Sequence, residues 1–353
     1  MKVRAFITHK LCEHYADCQD RFSINKDSRT VAVSDGMSQS IFPDYWADLL
    51  SVQYVKEGHC NEADRIKLCG RWLQKVEEYR DEQVKLGKNP WKLNNFLAAH
   101  KGAGATICGV RFDNATDWRG DVLGDSCIIE VDMETFTINV LSSQEKAFDY
   151  YPDYYDSFSD KKGRGVIKSF SGTIGPNKHL LLVSDPFSEF IDKHKDDCET
   201  HIQQILQLNS HLDFCKLVDD WRNRGMHNDD STLCIIEFDG DLNFNVHYQD
   251  DISSLIQKEE QEETIIAEVE ITPKDTGQEQ GNNNEEENNE LYKTIPLDIL
   301  KDFFFYVIKE FDSLLSKKNK LRHSLKKENI NKHDISEIKQ RIIKEYKRLT
   351  TSD

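Results

Sequence analysis

No stretch of this 353-residue chain runs to eighteen or so apolar residues in a row, about the length a membrane-spanning helix needs. The opening, MKVRAFITHKLCEHY, carries neither an apolar signal core nor a small-residue cleavage site, so the cytosol is the expected compartment. An excess of positive charge is missing too. With a formal net charge of −17, the chain lacks the basic footprint that phosphate backbones require, which excludes a general nucleic-acid binder. The acid excess either serves solubility or is gathered where cations bind. Nine cysteines are present, yet no CxxC pair. Cys108, Cys127 and Cys234 lie inside the apolar runs ATICGVRF, DSCIIEV and TLCIIEF, where a thiol behaves as a small hydrophobe. Disulfides and a zinc site are therefore not expected, and a reducing compartment fits.

What the chain does contain, up to about residue 250, is short β-branched runs alternating with longer helical stretches. The pattern predicts strands over residues 3–8, 22–25, 30–34, 105–112, 119–123, 127–131, 135–141, 166–170, 179–183, 231–238 and 244–248. Short turns such as Asp113-Asn114 and Asp239-Gly240 favour hairpins and antiparallel sheets. Helices are expected over 43–56, with Pro43 at an N-terminal position, and over 62–86. In the second of these, Ile66, Leu68, Trp72, Leu73, Val76 and Tyr79 recur at three- and four-residue spacing as a core-facing stripe. Two more helices are expected after Pro186, near 197–208 and 211–223. Clustered strands with separately grouped helices indicate an α+β layered sandwich.

Composition then changes. Residues 251–290, with QKEEQEE and GQEQGNNNEEENNE, are acidic and amide-rich, the composition of a weakly ordered linker. From 291 to 353 the sign reverses. KDFFFYVIKEFDSLL and a later segment bearing Ile335, Ile338, Ile342, Tyr346 and Leu349 are amphipathic, with the basic KKNKLRHSLKK between them. This reads as a helical hairpin that either folds back or docks on a partner protein.

The chemistry sits at strand ends. In TVAVSDGMSQS an apolar run goes straight into Asp35-Gly36. CQDRFSI puts Asp20 just before a strand, and VLGDSCII puts Asp125 in a tight turn. LLLVSDPF ends a strand on Asp185, and HNDDSTLCII sets Asp229 and Asp230 just ahead of another. One such aspartate is ordinarily a cap or turn residue. If several converge, their charges repel and burial adds to the cost. A divalent cation removes both problems, and an all-oxygen set favours Mg²⁺ or Mn²⁺ over zinc.

The ordered series QD, SDG, GAGAT, GDS, SD and DDST followed by an apolar run resembles the metal-dependent serine/threonine phosphatases of the protein phosphatase 2C (PPM) type. It spans about two thirds of the chain, and THKLCEHYADCQD is closer to the bacterial branch. The resemblance implies a four-layer αββα sandwich of two antiparallel sheets flanked by helices, with the helical hairpin appended. It implies that Asp35 bridges two metal ions, with the Gly36 carbonyl on one of them, and that Asp185 and Asp229 hold the other. Asp20 would act through metal-bound water, and Asp125 would help hold a third, weaker ion, assisted by Glu189. Gly104, Ala105 and Thr106 would form the close-packed strand beneath. The implied reaction is hydrolysis of phosphoserine or phosphothreonine by a water held between two Mn²⁺ or Mg²⁺ ions. The substrate would then be a phosphorylated protein, and a partner kinase would bind through the hairpin. Three positions depart from the eukaryotic pattern: Tyr15 replaces a phosphate-binding arginine, Met37 replaces a histidine, and Pro186 replaces a glycine. His9, Lys10 and His14 are the candidates to take over the arginine's role. The rival reading is a catalytically weak or inactive module of the same fold that binds a phosphoprotein or a kinase.

Overall fold

The run TVAVS is buried at every position, because it lies between two layers. In the computed structural model, which describes residues 1–38, 40–144, 152–161, 163–239 and 243–271 (side chains through 261), Ala32 packs beneath helices on one face. Val31 and Val33 pack on the other face against Val3, Ala5, Leu182, Cys234 and Ile236 of a second sheet. A strand covered on both sides has no reason to alternate polar and apolar residues.

In chain order the elements are β1 (Lys2–Thr8), β2 (Arg21–Asn25), β3 (Thr30–Ser34), α1 (Pro43–Glu57), α2 (Glu62–Lys85) and α3 (Trp91–Ala98). Next come β4 (Gly104–Ala105), β5 (Ile107–Phe112), β6 (Asp117–Leu123), β7 (Cys127–Asp132), β8 (Thr137–Leu141), β9 (Tyr155–Asp156), β10 (Lys168–Thr173) and β11 (Lys178–Val183). The last are α4 (Asp185–Lys193), α5 (Cys198–Leu206), α6 (His211–Asn223), β12 (Ser231–Glu237), β13 (Asn245–Gln249) and α7 (Ile252–Ile271). One sheet has the order β13-β1-β12-β11-β7-β8 and the other β10-β6-β5-β3-β2, with β4 and β9 as a small separate pair. Helices α4, α5 and α6 cover the outer face of the first sheet through Phe187, Phe190, Ile202, Phe214 and Trp221. Helices α1, α2 and α3 cover the second through Trp46, Leu50, Tyr54, Trp72 and Leu93. The four layers are therefore helix, sheet, sheet, helix, the α+β architecture expected.

Four details differ from the sequence reading. Strand β13 does not close a hairpin on β12. It pairs with β1 in parallel, because β12 already has β1 and β11 on its two edges, and the Met1 ammonium ties the connection down through Asp239 Oδ1 and the Asn243 carbonyl. On α2, Leu68, Trp72 and Val76 are buried, but Ile66, Leu73 and Tyr79 are exposed, so the stripe is narrower than its spacing suggested. Helices α3 and α4 were not foreseen. Finally, the acidic segment after residue 250 begins as a helix. Leu255 is buried with Ile7 and Cys18, and Glu259 accepts a hydrogen bond from the Tyr15 amide. The remainder of the expected linker and the hairpin at 291–353 lie outside the described residues. Among the described residues, no helix is long and apolar enough to cross a membrane.

Candidate metal-binding site

Strand pairing brings the aspartates together. Thr8 pairs with Ser231, Val183 with Leu233, and Cys127 with Val183, so the end of β1, the start of β12, the end of β11 and the start of β7 share one rim of the first sheet. Arg21 pairs with Ser34, and Leu123 with Ile107, which gives the second sheet a matching rim. Asp20, Asp35, Asp125, Asp185 and Asp229 each stand one or two residues beyond those ends. An antiparallel register thus turns five separate turns into one mouth.

A cavity of about 600 Å³ opens there, lined by Asp35, Gly36, Asp125, Asp185, Asp229 and His227 among others. The floor is tightly built. The Thr106 amide donates to the Asp35 carbonyl at 2.9 Å, the Asp35 amide donates to Thr106 Oγ1 at 3.2 Å, and Thr106 Oγ1 meets Ser126 Oγ at 2.6 Å. Gly36 pairs with Ala105, and a Cβ on it would stand 2.7 Å from the Pro43 carbonyl and 2.9 Å from that of Gln19. Only glycine lets the chain pass so close. Gly124, at φ +104°, makes the tight turn that delivers Asp125. Pro186 is not disruptive. It sits in the first turn of α4 behind the N-cap Ser184, where its fixed φ suits a helix start and no donor is lost. Ser188 Oγ, one turn on, donates to the carbonyls of Asp125 and Asp185 at 3.2 and 3.0 Å.

The electrostatics are unfavourable as the chain stands. Burial pushes Asp20 up to about 7, with Asp230 adding repulsion. Burial raises Asp35 well above the usual carboxylate range, with Asp20 and then Asp185 adding to it. Asp185 is raised in the same way by burial, then by Asp125 and Asp229. Asp125 is pushed up to about 6, chiefly by burial. Both carboxylate oxygens of Asp20 and Oδ1 of Asp125 are buried without a hydrogen-bond partner. Buried, unpaired and mutually repelling oxygens form a strongly unfavourable arrangement that one or more cations would relieve. The donor set therefore fits a divalent ion. Asp185, His227 and Asp229 can each offer one ligand atom, all within 4.8 Å of one another.

The basic candidates separate. Lys10 reaches the rim, with its Nζ 2.9 Å from Asp229 Oδ1 and 3.1 Å from Ser38 Oγ. Burial works against its charge, yet hydrogen bonding to Asp229 raises its pKa overall. His9 and His14 do not line the cavity, because Glu259 of α7 draws both, at 3.8 and 3.3 Å. Tyr15 also turns away: its hydroxyl lies 2.7 Å from His211 Nε2, and His211 Nδ1 lies 2.9 Å from Asp250. Sequence reading missed His227 and Lys193. His227 stands two residues before Asp229 in HNDDST, a placement with no pattern of its own, and Lys193 sits one turn after Glu189, to which it is paired at 2.6 Å.

The fold and this rim define a class, an α+β sandwich with an acidic, cation-seeking mouth at one end. No family model and no curated protein matches the chain. Among solved structures it is similar to a bacterial serine phosphatase, at 12% identity and TM-score 0.46 over 68% of this chain and 98% of that one. It is similar also to the serine/threonine phosphatase Stp1 from Staphylococcus aureus, at 12% and 0.45 over 67% and 94%. A third is the Mycobacterium tuberculosis serine/threonine phosphatase PstP/Ppp, at 13% and 0.44 over 67% and 97%. At such identities no residue role passes from those proteins to this one.

Proposed function

We propose that the chain is a metal-dependent phosphatase acting on phosphoserine or phosphothreonine in proteins, with Asp35, Asp185 and Asp229 as principal ligands of two Mn²⁺ or Mg²⁺ ions. The Gly36 carbonyl adds a ligand, Asp20 acts through ordered water, and Asp125 serves a third, weaker ion. The single observation that supports this reading is the convergence of five aspartates with orphaned buried oxygens at Asp20 and Asp125. An empty acidic mouth repels a phosphate dianion. When bound, divalent ions reverse the local charge, lower the pKa of a water and neutralise the phosphoryl oxygens. The chain's own part is orientation: Thr106 fixes the backbone of Asp35, Ser188 ties the Asp125 and Asp185 turns together, and Lys10 with the Asp230 amide holds Asp229 Oδ1. Lys10 and Lys193 at the rim are the cations available to meet the phosphate or its flanking residues. A protein-bound substrate suits an open mouth at the end of a sandwich.

The test is hydrolysis of p-nitrophenyl phosphate and a phosphothreonine peptide, with and without Mn²⁺, by the whole chain and by Asp35→Asn. Turnover that needs the ion and falls by two or more orders of magnitude in the variant is the expected result. A wild type that binds a phosphopeptide without turning it over would favour the inactive binding module instead.

A further inference from the structure

The expected ligand set was all oxygen, but the structure adds a nitrogen. His227 lies on the loop between α6 and β12, and that loop is held at several points. Met226 is buried, with its amide 2.9 Å from the Trp221 carbonyl. Arg222 donates to the Asp229 carbonyl at 2.8 Å and to that of His9 at 2.9 Å. The Asp229 amide turns back to the His227 carbonyl at 3.1 Å. The imidazole therefore hangs from an anchored backbone while its ring stays accessible at the cavity.

The Asp229 carboxylate is divided between two tasks. Oδ1 receives Lys10 Nζ at 2.9 Å and the Asp230 amide at 2.8 Å, whereas Oδ2 is turned to His227 Nδ1, 3.9 Å away. That gap is too long for a hydrogen bond. It suits two ligands of one small ion, whose donor atoms stand roughly 3–4 Å apart when each is about 2.1 Å from the metal. The acids alone would not make a site. The independent sign of a missing cation is Asp125, 7% exposed, whose unpartnered Oδ1 belongs to the same cavity.

We propose that His227 is a third ligand beside Asp185 and Asp229, and that this mixed nitrogen and oxygen set makes the site prefer Mn²⁺ or Zn²⁺ to Mg²⁺. Imidazole suits borderline transition ions, while Mg²⁺ keeps to carboxylates, carbonyls and water. Lys10 is then a positioning residue that fixes which Asp229 oxygen faces the ion. This inference rests on the acidic mouth being a cation site, and it does not depend on which ester, if any, is cleaved there.

The experiment uses the full chain stripped with a chelator and titrated with Mn²⁺, with free ion read by electron paramagnetic resonance and heat by calorimetry. Zn²⁺ and Mg²⁺ then compete. His227→Ala is expected to weaken Mn²⁺ at one site by about tenfold or more, to leave Mg²⁺ nearly unchanged, and to leave the metal-free thermal midpoint where it was. His227→Asp should restore divalent binding with the preference moved toward Mg²⁺, and His100→Ala, at a surface histidine paired to Asp160, should change nothing. Unaltered Mn²⁺ affinity and Mn²⁺/Mg²⁺ ratio in His227→Ala overturns the proposal, as does an absence of Mn²⁺ uptake by the wild type. If His227-dependent uptake is found without phosphatase activity, the proposed function fails and this inference stands. Metal-dependent hydrolysis with unchanged affinity in His227→Ala is the reverse case.

Discussion

Asp20 and Asp35 illustrate what a buried acid does to a fold that has not yet met its ion. A carboxyl whose folded-state pKa is raised keeps a proton that the unfolded chain has already lost, so stability falls as pH rises between the two values. For Asp20 that window runs from the ordinary value near 4 up to about 7, and for Asp125 up to about 6. The metal-free protein is therefore expected to melt higher at about pH 5 than at about pH 6.5, with Asp20→Asn and saturating Mn²⁺ each flattening the difference. His211, raised to about 9 through Asp250 against the lowering effect of its burial, loses its contribution only above its unfolded pKa of about 6.5, at the top of the Asp20 window and beyond the comparison of about pH 5 with about pH 6.5. A thermal midpoint that climbs steadily across this range would contradict the electrostatic account. At Gly36 the constraint is steric. Gly36→Ala drives a Cβ into two backbone carbonyls and is expected to cost about 1–3 kcal/mol in chemical denaturation, with metal affinity falling as Asp35 moves. The aspartates themselves were legible as residues following or preceding apolar runs. His227 was not, because a histidine two positions from an aspartate in a polar loop has no pattern of its own.

Among the elements, the loop that carries Asp229 depends on one side chain from its neighbouring helix. Arg222 on α6 is half-buried and donates to two carbonyls, those of His9 and Asp229. Arg222→Met keeps much of the volume but takes the donor from the His9 carbonyl and leaves the Asp229 carbonyl with the Ser231 hydroxyl alone, at 3.0 Å; an unmet acceptor costs about 1–3 kcal/mol where water cannot reach. Its expected signature is a lower denaturation midpoint together with weaker Mn²⁺ binding, and normal affinity would show that the loop holds its shape unaided. Helices α1 and α6 were readable, α1 through Pro43 at its start; for α6 the structure adds the cap, Ser210 accepting from the Asp213 amide. Helix α4 was missed because Pro186 after Asp185 looks like a breaker, and only the Ser184 cap reveals a start. Helix α3 has one buried residue, Leu93, too little to write a period. The fate of β13 was hidden for a topological reason: whether β12 has a free edge is not a property of β12.

For the whole molecule, the described four-layer sandwich gathers five aspartates at one rim, and that rim should respond to ions as a unit. Chelator treatment is expected to lower the thermal midpoint by several degrees and Mn²⁺ to restore it, because binding to the native state alone stabilises by mass action. Every residue placed at the cavity precedes residue 230, so removing residues 291–353 should leave Mn²⁺ uptake and basal hydrolysis intact and alter only the choice of partner. Loss of folding in the shortened chain would place that segment in the core.

By itself the sequence determined a layered α+β sandwich, through apolar runs such as TVAVS and LLLV that are buried at every position, and it marked Asp20, Asp35, Asp125, Asp185 and Asp229 as acids at strand ends. Spacing along a chain carries that much, because burial and turn chemistry are local. Only the tertiary structure decided that antiparallel register brings all five to one rim, that α7 draws His9 and His14 away from it, and that Lys10 binds one oxygen of Asp229 while His227 faces the other. Those outcomes depend on which surfaces meet, a long-range property that no single segment encodes.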